Sequence, residues 1–294
     1  MRKRKINWIN LILIIFLIVG LGLLIYPSLS DLWNKSIQSR AVASYKKEAD
    51  KIDDKKAEDM IREAMKYNAS LLNKSNRFIP SPEEKKTYNS ILDITGTGIL
   101  GYVEVDKIGV SLPIYHGTDS TVLESSIGHL EGTSFPVPGK SVHSAISGHR
   151  GLRSAKLFTD LDQMEVGDLF TIHVLNSKYN YKVDRVVTIL PDELDELSIE
   201  TDKNYATLFT CTPYGINSHR LMVRGKLVSI NEDYYDLFGS TVNSKIIDKK
   251  YVTTAFSLII LILIFIYIKL KAYINDYRNK VKQRGGEDEI EKNS

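Results

Sequence analysis

At 294 residues the chain is long enough for one sizeable domain with additions, or for two small ones. Its 39 Lys and Arg against 36 Asp and Glu leave a net charge of +3, which removes any global electrostatic case for nucleic-acid binding, while 43% hydrophobic and 26% charged content fits a folded protein carrying some membrane sequence. A single cysteine, Cys211, excludes both an internal disulfide framework and a thiolate metal cage.

Residues 11–26 form an uncharged apolar run, extended by Ile6–Asn10 and preceded by Arg2, Lys3, Arg4 and Lys5. A spanning helix needs roughly 20 apolar residues, and the basic flank stays on the cytoplasmic side. A cleaved signal peptide is the rival reading, but its cleavage-like Ala41-Val42-Ala43 lies beyond charged Asp31, Lys35 and Arg40. From about 36 to 72 the apolar positions Ala41, Tyr45, Ala49, Ile52, Ala57, Met60, Ile61, Ala64 and Met65 recur near a 3.6 period, which predicts an amphipathic helical region. Residues 73–87, with two prolines and no periodicity, read as a loop or lid-like connection.

From Ile99 the pattern becomes β-rich: runs at 99–105, 110–115, 142–147, 169–175, 179–190, 205–211 and 220–230 are punctuated by Gly, Asn and Pro. Short strands at this spacing predict a closed or sandwich-like β domain. A second apolar run covers 252–270 and is followed by Lys271, Arg278, Lys280, Lys282 and Arg284, so both tails are expected inside the cell and the residues between the spans outside. Neither run carries Asp, Glu or His, so a proton-relay or transport role has no support.

Cys211 ends the run Thr207-Leu208-Phe209-Thr210-Cys211 and is followed by Thr212-Pro213-Tyr214-Gly215, which places the thiol where a strand meets a loop. A buried core cysteine is the bland reading. Nine positions on, Arg220 opens the next run. If the two strands pair as a hairpin, Arg220 lies beside Cys211, where a permanent cation favours thiolate and stabilises a developing oxyanion. Arg224 shares that face but sits further from the loop. A thiol performing acyl transfer needs a proton partner, and of six histidines His149, in Ser147-Gly148-His149-Arg150-Gly151, has the most suggestive setting, with His116 second. No pair of histidines has metal-ligand spacing, so no metal and no cofactor is expected.

Together these pieces resemble the sortase family of surface transpeptidases. Thr207-Leu208-x-Thr210-Cys211 matches the family's nucleophile motif, 147–151 its histidine motif and Asn217-Ser218-His219-Arg220-Leu221 its arginine motif, in the family's order. The resemblance implies an all-β-dominated fold, a closed eight-stranded barrel with an N-terminal helical extension and two transmembrane helices. The expected layout is a cytoplasmic tail and first span (1–27), an external helical extension (28–98), the barrel (99–232), a linker (233–251), the second span (252–270) and a cytoplasmic tail (271–294). It further implies that Cys211 attacks an LPXTG-like sorting signal to form a thioester, that His149 serves as acid and base, and that Arg220 stabilises the oxyanion or positions substrate. Thr210, Thr212 and Tyr214 are the expected substrate contacts.

The second membrane run, the Thr212–Gly215 stretch and residues 107–118 are similar to class C, whose members join pilin subunits to one another through a lysine amine. The Asp-Pro-aromatic lid motif usual in that class is missing; the corresponding stretch, Arg77-Phe78-Ile79-Pro80-Ser81-Pro82, leaves Phe78, Ile79 and Pro80 as candidate lid or plug residues. The expected partners are pilin subunits and the membrane, with no nucleic acid. Competing readings are a housekeeping sortase using a peptidoglycan-precursor amine, a cysteine hydrolase, and a non-enzymatic membrane-tethered binding domain.

Overall fold

A computed structural model describes residues 8–152 and 154–231, together with single positions and short stretches between 255 and 278. It divides into two compact units, Met1–Leu29 with Lys245–Ser294, and Ser30–Ser244. In the first unit helix α1 (Trp8–Ala49) begins, and its stretch from Ile14 is long and apolar enough to cross a membrane by length and composition. Its side chains there are turned outwards, Phe16 being 73% and Leu23 72% exposed. Only a shorter apolar helix, within Ser257–Lys269, is found in the expected second span. Among the described residues one helix, not two, therefore reaches spanning length; the linker 233–251 and most of the tail 271–294 lie outside them.

In the second unit the predicted helical region divides at residues 50–53. Asp53 caps α2 (Asp54–Leu71), its carboxylate accepting from the Lys56 N–H at 2.8 Å. The last turns of α1 bury Val42, Tyr45 and Ala49 against Ile99 and Tyr102. The Tyr45 hydroxyl donates to the Leu100 carbonyl and accepts from the Leu175 N–H, both at 2.9 Å, so this helix is tied to the barrel by polar as well as apolar contacts. The stretch read as a loop contains the start of a helix, α3 (Pro82–Ser90). The reason is a capping box: the Glu84 N–H donates to the Ser81 hydroxyl, the Ser81 N–H donates to the Glu84 carboxylate, and Pro82 opens the first turn.

Eight strands close into a barrel: β1 (Ile99–Val105), β2 (Val110–His116), β3 (Ile127–His129), β4 (Val142–Gly148), β5 (Leu169–Val174), β6 (Ser177–Ile189), β7 (Asn204–Thr212) and β8 (His219–Ile230). Their order is β1-β2-β3-β4-β7-β8-β6-β5, with β5 returning to β1. The pairs β2/β3 and β4/β7 are parallel and the rest antiparallel. Leu100, Ile114, Ile146, Ile172, Leu208 and Val223 fill the interior with no exposed surface. Strand β1 reads as a nearly continuous buried run because its inner face meets this core while Tyr102, outside, meets α1.

Candidate active site

Strand β7 is the middle of three strands that end together. Its neighbour β4 runs parallel to it, in register from Val142 opposite Asn204 to Ser147 opposite Phe209. On the other side β8 is antiparallel, with Cys211 directly opposite Arg220. The Thr210 hydroxyl donates to the Gly148 carbonyl at 2.6 Å, so the register persists to the residue before Cys211 and the residue before His149. Neighbouring strands lie about 4.8 Å apart, so this register sets His149 and Arg220 on either side of Cys211.

Alternation decides the face. Ala206 and Leu208 point into the barrel, fully buried, as does Thr210 at 2% exposure; Phe209 and Cys211 are partly exposed on the outer surface. Directly opposed residues share a face, so Arg220, Met222 and Arg224 project on that same outer side. Gly148 has no room for a side chain: a Cβ there would lie 2.6 Å from the Phe158 ring. That ring packs beneath the turn at which β4 gives way to His149.

The two arginines left open by the sequence differ in their partners. Arg224 donates to both oxygens of Asp184 at 3.1 and 2.9 Å and to Glu200 at 3.1 Å, and stacks 4.1 Å over the Tyr205 ring. Arg220 donates to the main-chain carbonyls of His219 at 3.1 Å and Asn217 at 3.3 Å, and among the described residues no carboxylate pairs with it. Its charge is therefore not neutralised by a carboxylate among the described residues, at a position directly across the ladder from Cys211.

The histidines separate in the same way. His129 is fully buried, with Nε2 beside the Ser134 carbonyl and Nδ1 beside the Tyr88 hydroxyl; burial pushes its pKa down to about 3. His143 bridges the Ser198 carbonyl and the Thr207 hydroxyl, both at 2.8 Å, and burial pushes it down to about 4. The Thr207 hydroxyl is thus committed to a buried histidine. His116 is enclosed by the Gly98 and Ile91 carbonyls, and His173 pairs with Glu104 at 2.9 Å and stacks on Tyr102. His149 and His219 are the two that stay at the rim near Cys211.

Of the expected substrate contacts, Thr210 faces inwards and its hydroxyl donates to the Gly148 carbonyl. Thr212 accepts from Arg150 Nη1 at 3.1 Å. Tyr214 is 61% exposed, and its ring lies over Gly151, where a Cβ would come within 2.8 Å. The candidate lid residues diverge. Phe78 packs on the cluster of Ala145, Leu197 and Met222, on the outer face that also carries Phe209, while the Arg77 guanidinium holds the Leu197 carbonyl at 2.9 Å. Ile79 is 77% exposed, and Pro80 borders a separate cavity of about 440 Å³ between α2 and α3. Sequence reasoning missed Arg150 and Asp162, which pair with each other; the only signal was a charged residue directly after His149. Among the described residues, no three His, Cys, Asp or Glu side chains converge as metal ligands.

A family model, the Sortase domain, matches residues 103–228. The crystal structure of sortase C1 from Streptococcus agalactiae is 45% identical, with a TM-score of 0.62, covering 66% of this chain and 100% of that one. Sortase C of Streptococcus pneumoniae, described in terms of catalysis and pilin substrate specificity, is 38% identical with a TM-score of 0.58 and coverage of 65% and 97%. Sortase C of Clostridium perfringens, seen with the C-terminal cell wall sorting motif, is 40% identical with a TM-score of 0.56 and coverage of 65% and 99%.

Proposed function

The chain belongs to the sortase family of cysteine transpeptidases, with its strong structural likeness to class C members, and on that premise we propose that it cleaves an LPXTG-like sorting signal of one pilin subunit and joins it to a lysine amine of another. The single observation that carries the assignment of roles is the register that sets Arg220 opposite Cys211 and His149 alongside it. The Cys211 sulfur attacks the threonyl carbonyl carbon of the signal, and the developing oxyanion is stabilised by the Arg220 guanidinium. As the Thr–Gly bond breaks, His149 gives its proton to the leaving amine. The pilin lysine amine then attacks the thioester, its proton passes to His149, and Cys211 leaves as thiolate.

Membrane attachment through α1, with the second apolar run 252–270 as another span, both tails inside and the barrel outside, completes the reading. It draws its support from the outward-facing apolar side chains of α1 and the basic residues flanking both runs. Phe78 is proposed to cover part of the approach to the outer face. The test is to incubate the chain with an LPXTG-type peptide and look for an acyl adduct on Cys211, then to offer a pilin lysine peptide against a peptidoglycan-precursor amine. An adduct that is absent from Cys211→Ala and transfers to the pilin lysine is expected. No adduct at high enzyme concentration refutes the mechanism, and preferential transfer to the precursor amine refutes the pilin assignment.

A further inference from the structure

We propose that Arg150 is a positioning residue for the acyl-transfer site, a strut that fixes the segment carrying His149 against the strand carrying Cys211. The inference rests on the roles assigned above to those two residues. Arg150 directly follows His149, and Thr212 directly follows Cys211; the Arg150 Nη1 donates to the Thr212 hydroxyl at 3.1 Å. The other arm of the guanidinium, Nη2, is paired with Asp162, so the fork is clamped at its far end. The arginine side chain is only 11% exposed although Asp162 is 47% exposed.

The strut acts where the sheet stops acting. Ladder pairing between β4 and β7 ends at Ser147 and Phe209, and the Thr210–Gly148 hydrogen bond is the last link before the two reactive positions. Further along, the segment after His149 is held by α1: the Asn34 amide donates to the Ser154 carbonyl at 2.7 Å, and the Lys156 N–H donates to Asp31 at 2.9 Å. Between those supports, Arg150 reaches across to β7. A buried Arg150 Nε without a hydrogen-bond partner shows that the two outer nitrogens, not the whole guanidinium, set the placement. A lysine could satisfy Asp162 or Thr212 but has no rigid fork to join them. Relaxing the contact by about 1 Å is enough to reduce a positioned reaction by as much as about 100-fold.

The test uses the full chain with Thr212→Val, which removes the hydroxyl at constant volume, Thr212→Ser, which keeps it, Arg150→Ala and the Arg150→Ala/Thr212→Val pair. Two readouts are taken: acylation by an LPXTG-type peptide, resolved into kcat and KM, and the pH profile of Cys211 alkylation by iodoacetamide, which needs no substrate. Thr212→Val is expected to lower kcat about 10-fold and Arg150→Ala about 30-fold with KM within about twofold, and to move the alkylation profile by at least about half a pH unit. Thr212→Ser should recover most of the kcat that Thr212→Val loses, and the double variant should be no worse than Arg150→Ala. The strut is refuted if Thr212→Ser is as impaired as Thr212→Val, if the two effects multiply, if KM rises with kcat unchanged, or if the alkylation profile does not move. A wild type that alkylates but never acylates sinks the functional reading instead.

Discussion

Arg220 and Arg224 project from the same face of β8, and replacing each by alanine is expected to produce opposite outcomes. Arg224 is 16% exposed and makes three hydrogen bonds to two carboxylates. Its removal leaves Asp184 and Glu200 without their cation; both are partly exposed, so the loss is about 1–2 kcal/mol rather than the full value of a buried pair. For a domain of this size that is a Tm drop of about 2–8 °C. Arg220 donates only to two main-chain carbonyls, so its removal should leave Tm within about 2 °C. Its loss from the thiol side should instead lower acylation by about 100- to 1,000-fold, about 2.7–4 kcal/mol of transition-state stabilisation. Thermal denaturation and single-turnover mass spectrometry of the Cys211 adduct measure the two effects on the same samples. Near-normal acylation by Arg220→Ala, together with a folded Arg224→Ala that cannot acylate, would refute the assignment.

Two further outcomes are expected. The buried neutral histidines make stability depend on pH: His143 and His129 have folded pKa values of about 4 and about 3, against about 6.5 when unfolded, so the unfolded chain binds more protons as pH falls below 6.5. Stability should therefore be complete above about pH 7 and fall from 6.5 to about 4 for His143 and to about 3 for His129, by up to about 1.4 kcal/mol per pH unit for each histidine; a urea midpoint unchanged from pH 7 to pH 5 would contradict this. For Phe78→Ala, losing a half-buried ring from the outer face weakens the loop's hold by about 1 kcal/mol, so methanethiosulfonate labelling of Cys211 should quicken about fivefold. A rate within twofold of wild type would mean that the loop does not cover the thiol.

Much of the fold was legible because local pattern and tertiary role agreed. The β-rich runs around 99–105, 142–147, 205–211 and 220–230 correspond to β1, β4, β7 and β8, since each alternates or saturates with apolar residues according to the faces it buries. Strand β3 escaped notice: Ile127–His129 is too short to show a period, yet its parallel pairing with β2 and antiparallel pairing with β4 close the barrel. Helix α3 was missed for a different reason, because two prolines masked a capping box that Ser81 and Glu84 spell out. Thr210 adjoins Cys211 in the chain, yet a one-residue step along a strand turns its side chain to the opposite face.

From the linear chain alone came the chemistry on offer: one thiol, a histidine and an arginine at strand ends, and an apolar run able to anchor them, since residue type and strand-to-loop transitions are local properties. Which arginine keeps an uncommitted charge, and which histidines are buried and held by hydrogen bonds, could be decided only in three dimensions. Asp184, Glu200, Ser198 and Thr207 claim those side chains through contacts that no spacing in the sequence announces. Burial and hydrogen-bond partners are set by strands far apart in the chain, and they determine which of several identical side chains remains free to react.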